Sequence, residues 1–188
     1  MVSMINRAVY YFQRVDTLWW IILAAGFALS VNHYRQKYIL DKKNIFEALA
    51  GITWWTYMLF LMIFTVFIRL PNNEYSAYLV PFWSYVELIH THNTELLFEI
   101  IGNILIFIPF GFLLPICGIK GKKELWVTIL TGFIFSLSLE ILQFITKLGT
   151  FEFDDIFNNL LGVIIGSVFI GSVRNIMLFV IKKREKKK

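Results

Sequence analysis

An all-α integral membrane protein, a polytopic helical bundle of five or four transmembrane helices, is the architecture that three features of this chain predict. Of its 188 residues, 57% are hydrophobic and 16% charged, with a mean hydropathy of +0.65, which is too apolar for a soluble domain of ordinary composition. The apolar residues form continuous runs of about the 17–25 residues needed to cross a hydrocarbon core of about 30 Å. The basic residues fall almost wholly between these runs, as a topology signal does, rather than over a folded surface as in a nucleic-acid binder. An aromatic share of 18% argues against disorder. The single cysteine, Cys117, excludes an intrachain disulfide or a CxxC site and reads as a small buried hydrophobe.

Taken in order, residues 1–15 place Met1, Ile5, Ala8, Phe12 and Val15 at helical spacing opposite Arg7 and Arg14, which suggests an amphipathic helix on the membrane surface. Residues 18–31 form a short first span, the alternative being an interfacial or re-entrant segment. Residues 48–70, 96–119, 125–145 and 156–173 are spans of full length, and the last run is expected to continue over residues 175–181 along the interface. This divides the chain into an N-terminal part with a basic loop (1–47), the bundle proper (48–181) and a basic tail (182–188).

The loops set the orientation. Arg35, Lys37, Lys42 and Lys43, then Lys120, Lys122 and Lys123, then the tail beginning at Lys182 and Lys183 all fall on one side, predicted cytoplasmic. Residues 71–95 contain no Lys or Arg but carry Glu74, Glu87 and Glu95, and Lys147 is followed by Glu152, Asp154 and Asp155. Those two segments are predicted to face outward, with the C-terminus cytoplasmic. The basic tail reads as a contact for anionic lipid headgroups.

Ionisable residues within spans are costly and mark function. Ser136, Glu140 and Gln143 share one helical face, as do Glu99 and Asn103, and as do Asp155, Asn159, Gly162 and Gly166. Arg69 closes its run. With the orientation above, Arg69, Asn103, Glu140, Gln143, Asp154, Asp155 and Asn159 all fall in the outer half of the membrane, Asn103 at about 10 Å below its boundary. A polar pocket open to the outside satisfies them together. The competing structural reading makes Asn103, Gln143 and Asn159 interhelical glue, Glu140–Arg69 a structural pair and Gly162-xxx-Gly166 a packing motif. Pro109 with Gly111 is expected to kink or break its span. His90 and His92 form an H-x-H in an outer loop but lack a clear third ligand, so no metal site is predicted, and no cofactor.

At these residues the sequence resembles the VanZ-like family of bacterial membrane proteins. The likeness is carried by Asn103-Ile-Leu-Ile-Phe-Ile-Pro-Phe-Gly111, by Glu140-Ile-Leu-Gln143, and by Asp154-Asp155-Ile-Phe-Asn-Asn159-Leu-Leu-Gly162, with Val80-Pro81-Phe82 similar to a weaker outer-loop motif. Two positions depart from the pattern: only Lys147 stands near where related sequences often place an Arg, and Tyr78 stands where they have Asn. The resemblance implies a bacterial plasma-membrane protein that reduces susceptibility to teicoplanin-type lipoglycopeptides.

Three functions compete. The preferred one is a non-enzymatic envelope protein whose outward pocket binds an amphiphile, either a membrane lipid headgroup or part of a lipoglycopeptide. The second is an enzyme acting on a lipid-linked envelope precursor, with Glu140 or Asp155 as the catalytic acid or base and Mg²⁺ on the acidic cluster. The third is a small substrate-binding subunit of a transporter. Nucleic acid is not an expected partner.

Overall fold

The computed structural model describes residues 17–36, 45–67, 69, 72–117 and 123–185. The amphipathic stretch before residue 17, Lys37, Lys42, Lys43, Lys120, Lys122 and the last three lysines lie outside the described residues. Six α-helices make up nearly all of the rest: α1 (Thr17–Tyr34), α2 (Ile45–Met62), α3 (Trp83–Thr91), α4 (Thr94–Ile116), α5 (Glu124–Thr146) and α6 (Phe153–Glu185). Four of the described helices, α2 with its continuation to Val66, α4, α5 and α6, are long and apolar enough to cross a membrane.

The shorter α1 lies antiparallel along α2, with Gly26 against Leu59 and Tyr34 against Gly51. Its 18 residues extend about 27 Å at 1.5 Å per residue, so it covers nearly the depth of its neighbour. In the bundle proper α6 packs on α4 and α5, and α2 closes against α4. The buried core is Trp54, Leu61, Val66, Phe107, Phe110, Leu114, Leu139 and Val163. Phe110 stacks on Phe135 with ring centroids 5.4 Å apart and tilts against Trp54 at 5.3 Å.

The closest approach is between α4 and α6. A Cβ on Gly162 would stand 2.2 Å from the Ile104 carbonyl oxygen, and one on Gly166 2.1 Å from that of Ile108. Only a residue without a side chain lets the two backbones meet there, so the small-residue stripe read from the sequence is a packing surface. It also accounts for a difference from expectation: α4 runs unbroken through Pro109 and Pro115. The backbone there is covered by α6 on one side, while Tyr57 donates to the nearby Ile106 carbonyl at 2.6 Å, the kind of protein cover that lets a membrane helix tolerate proline.

The last run continues past residue 173, and α6 is one helix of 33 residues. At about 50 Å it exceeds a bilayer core. Arg174, 19 positions after Asp155, pairs with Glu124 at 2.7 Å and ties α6 to the start of α5 at the bundle end opposite the polar residues described next.

Two short connections complete the fold. Ala77–Tyr78 (β1) and Phe151–Glu152 (β2) pair in parallel, Ala77 opposite Phe151 and Tyr78 opposite Glu152. Ser76 and Thr150 share a hydroxyl hydrogen bond at 2.7 Å, and the Asn72 N–H donates to the Lys147 carbonyl at 2.7 Å. The two loops at this end are therefore one unit.

Candidate functional site

Polar and apolar residues are distributed inside out relative to a soluble protein. Large exposed side chains on the long helices include Leu49, Phe98, Leu105, Leu130, Ile134, Ile165 and Phe169, whereas Glu140, Gln143, Asp155 and Asn159 are at most 5% exposed. These four gather at the end of the bundle that carries the β1–β2 bridge.

Each helix delivers its part by periodicity. α5 turns Ser136, Glu140 and Gln143 inward, and α6 does so with Asp155 and Asn159. The end of α2 loosens into a π-helical turn, Ile63–Phe67. The change in backbone pattern presents the Thr65 carbonyl to Gln143, whose Nε2 donates to it at 3.0 Å; single π turns of this kind are frequent at functional sites. From α4, Asn103 Nδ2 donates to Asp155 Oδ1 at 2.6 Å. Asn159 Nδ2 donates to the Ser136 hydroxyl at 2.9 Å, and the Glu152 N–H donates to Glu140 Oε2 at 2.9 Å.

The result is a small chamber lined by Thr65, Arg69, Asn103, Leu139, Glu140, Gln143, Asp155 and Asn159. It adjoins a cleft of about 610 Å³ that shares Thr65, Arg69 and Asn103 with it. Two kinds of side chain line the cleft. Arg69, Asn72, Glu99, Asn103, Thr150 and Glu152 are polar, and Phe64, Phe98 and Ile106 are apolar.

Six of the seven residues singled out from the sequence thus line one chamber. Asp154 is not among them. Its carboxylate accepts from the Phe82 N–H at 2.6 Å, the Ser84 N–H at 2.9 Å and the Ser84 hydroxyl at 2.6 Å, which caps the start of α3 and holds Phe82 in a left-handed conformation at φ 62°. Neighbouring helix positions point about 100° apart. Asp154 and Asn158 therefore share one face, where Asn158 accepts from the Tyr85 hydroxyl, while Asp155 and Asn159 share the chamber face.

Lys147 also stands apart from the cleft lining. Its ammonium lies over the Tyr75 ring at 4.4 Å and donates to the Asn73 carbonyl at 3.5 Å, so it braces the loops. His90 lies in the last turn of α3 and His92 caps it; among the described residues no three His, Cys, Asp or Glu side chains are grouped as a metal would need.

Among the lining residues that sequence reasoning missed, two are acidic. Glu99 was visible as the helical face-mate of Asn103, a signal sufficient to include it. Glu152 had none, because it reaches the cleft through the pairing of β2 with β1 and not through helical periodicity. Burial pushes the Glu152 carboxyl up to about 8, with Asp155 and Glu99 adding to the shift and Arg69 opposing it.

Buried carboxylates and carboxamides at one end of a bundle with an apolar exterior define a polytopic helical membrane protein with a polar chamber. The chain belongs to the VanZ/LLP1 family, whose profile matches residues 54–180 and so takes in the second half of α2 as well as the later motifs. Over 75 residues it is 37% identical to Protein VanZ of Enterococcus faecium. That stretch is 39% of this chain and 44% of that protein, so the match spans less than half the length of the curated relative. No solved structure matches.

Proposed function

We propose that this protein lowers susceptibility to teicoplanin-type lipoglycopeptides by binding an amphiphile in the cleft, with the β1–β2 end of the bundle facing outward from a bacterial plasma membrane. One observation carries the reading: the cleft of about 610 Å³ is lined both by Phe64, Phe98 and Ile106 and by Arg69, Glu99, Asn103 and Glu152. A molecule with an apolar chain and a polar head satisfies both kinds of lining, whereas a wholly polar solute leaves the aromatic side chains wet. Phe64 and Phe98 are themselves exposed on the bundle surface, which makes the apolar wall continuous with the lipid-facing exterior and allows a membrane-dissolved ligand to enter sideways. The orientation rests on the basic loops, and the drug class on the family resemblance.

The test expresses wild type, Asn103→Leu and Glu140→Gln at matched membrane abundance in a sensitive Gram-positive host, with teicoplanin and vancomycin compared. Wild type is expected to raise the inhibitory concentration of the acylated drug selectively, and both variants to lose that protection. Equal protection against both drugs would remove the amphiphile reading, because only one of them carries an acyl chain.

A further inference from the structure

The balance of donors, acceptors and charge around the chamber indicates which kind of head group it takes, an inference that rests on the cleft reading above. Glu140 and Asp155 line the chamber, Glu99 and Glu152 line the adjoining cleft, and Arg69 lines both. Donors in and beside the chamber are partly engaged: the Glu152 N–H on Glu140, one Asn103 Nδ2 proton on Asp155 and one Gln143 Nε2 proton on Thr65.

Two acceptors remain. Gln143 Oε1 and Asn159 Oδ1 are buried without a partner, on side chains 2% and 5% exposed that both line the chamber. The orientation of Gln143 is forced, because the Thr65 carbonyl can only accept and so must face the amide nitrogen. The chamber therefore has two acceptor oxygens without a partner and more acidic side chains than basic ones. Its volume, about 10 Å³, suits a single water-sized group.

We propose that the chamber receives the primary ammonium group of a cationic amphiphile, whose chain lies along Phe64, Phe98 and Ile106. An ammonium offers three donors, one positive charge and no acceptor, and so answers Gln143 Oε1, Asn159 Oδ1 and the carboxylates together. A phosphate would bring acceptors to acceptors and negative charge to carboxylates, with Arg69 alone to receive it. A trimethylammonium head carries the charge but no donor, and is too bulky for the chamber.

The experiment uses the full chain in phosphatidylcholine nanodiscs, with empty discs as the blank, and titrates dodecylamine, dodecyltrimethylammonium, dodecyl phosphate and chainless ethanolamine by calorimetry. Dodecylamine is expected to bind at least tenfold more tightly than the other three. Asp155→Asn and Gln143→Met are expected to erase that preference. Glu152→Gln, on the half-buried strand at the cleft wall, is a second variant should those two not fold, and is expected to weaken dodecylamine alone about threefold.

Equal binding of the three dodecyl probes overturns the ammonium assignment and leaves the amphiphile reading standing. Tighter binding of the phosphate overturns it in favour of Arg69. Ethanolamine binding as tightly as dodecylamine keeps the ammonium site but removes the amphiphile reading, and identifies a soluble amine as the source. Binding of none of the probes removes both, as does a preference for dodecylamine that survives in every folded variant.

Discussion

Adjacent side chains in this protein do unlike work, and Asp154 and Asp155 show why. The Asp154 carboxylate collects two backbone N–H groups and a hydroxyl, while Asp155 meets Asn103 and the chamber. Hydrogen bonds to a charged group contribute about 1.5–3 kcal/mol each, and removing one partner strands the others. Asp154→Ala is accordingly expected to destabilise the folded chain by about 3 kcal/mol, seen as a lowered Tm in detergent, and Ser84→Ala by about 1 kcal/mol. Glu152 gives a pH dependence. Its carboxyl lies at about 8 in the folded protein, raised by burial, by Asp155, Glu99 and Asp154, and opposed by Arg69. The folded state thus binds its proton more tightly than the unfolded chain, whose carboxyl titrates in the usual range near 4.5, so the sign is opposite to that of a salt-bridged acid. Stability is expected to fall as pH rises from about 4.5 to about 8 and then level off, and Glu152→Gln to flatten that slope in a series of melts. A slope unchanged by the substitution would mean that another group carries it.

Among the helices, the contact between α4 and α6 is where substitutions should be felt most sharply. A methyl group on Gly166 would meet the Ile108 carbonyl oxygen at 2.1 Å and the Phe112 nitrogen at 2.7 Å, and both are backbone atoms that cannot swing aside. Gly171, one turn and a half further along the same helix, has nothing within 4 Å of such a methyl. Gly166→Ala is expected to lose about 1–3 kcal/mol by forcing the helices apart, with Asn103 and Asp155 pulled out of hydrogen-bond range as a result. Gly171→Ala is expected to stay within about 0.5 kcal/mol of wild type. Similar melts for the two variants would show that the interface is looser than described. Pro109 belongs to the same contact. A proline that would break an isolated helix sits within an unbroken one here, beside backbone that α6 covers.

For the whole molecule, the orientation has a direct check. With Cys117 changed to Ser, a cysteine at Asn73 is expected to react with a membrane-impermeant maleimide in intact cells, and one at Arg184 only after permeabilisation. The reverse pattern would put the chamber on the cytoplasmic side and remove the proposed route to an extracellular drug. Arg174 and Glu124 mark the opposite end, where their ion pair closes the bundle about 24 Å from Glu140 along α5, at 1.5 Å per residue. The spans, their alternation and the inward faces of α5 and α6 were legible in the chain, because apolar run length and a period of 3.6 residues are local properties that a bilayer turns directly into structure. Six chamber residues followed from those two rules and from the loops that place their helix ends together. Other features rested on contacts between segments far apart in sequence. Asp154 leaves the chamber because α3 folds back to meet it, Glu152 enters the cleft because β2 pairs with β1, and the Thr65 carbonyl is presented where a helix changes its hydrogen-bond pattern near Gln143. Periodicity says which way a side chain points, and packing supplies what stands there to meet it.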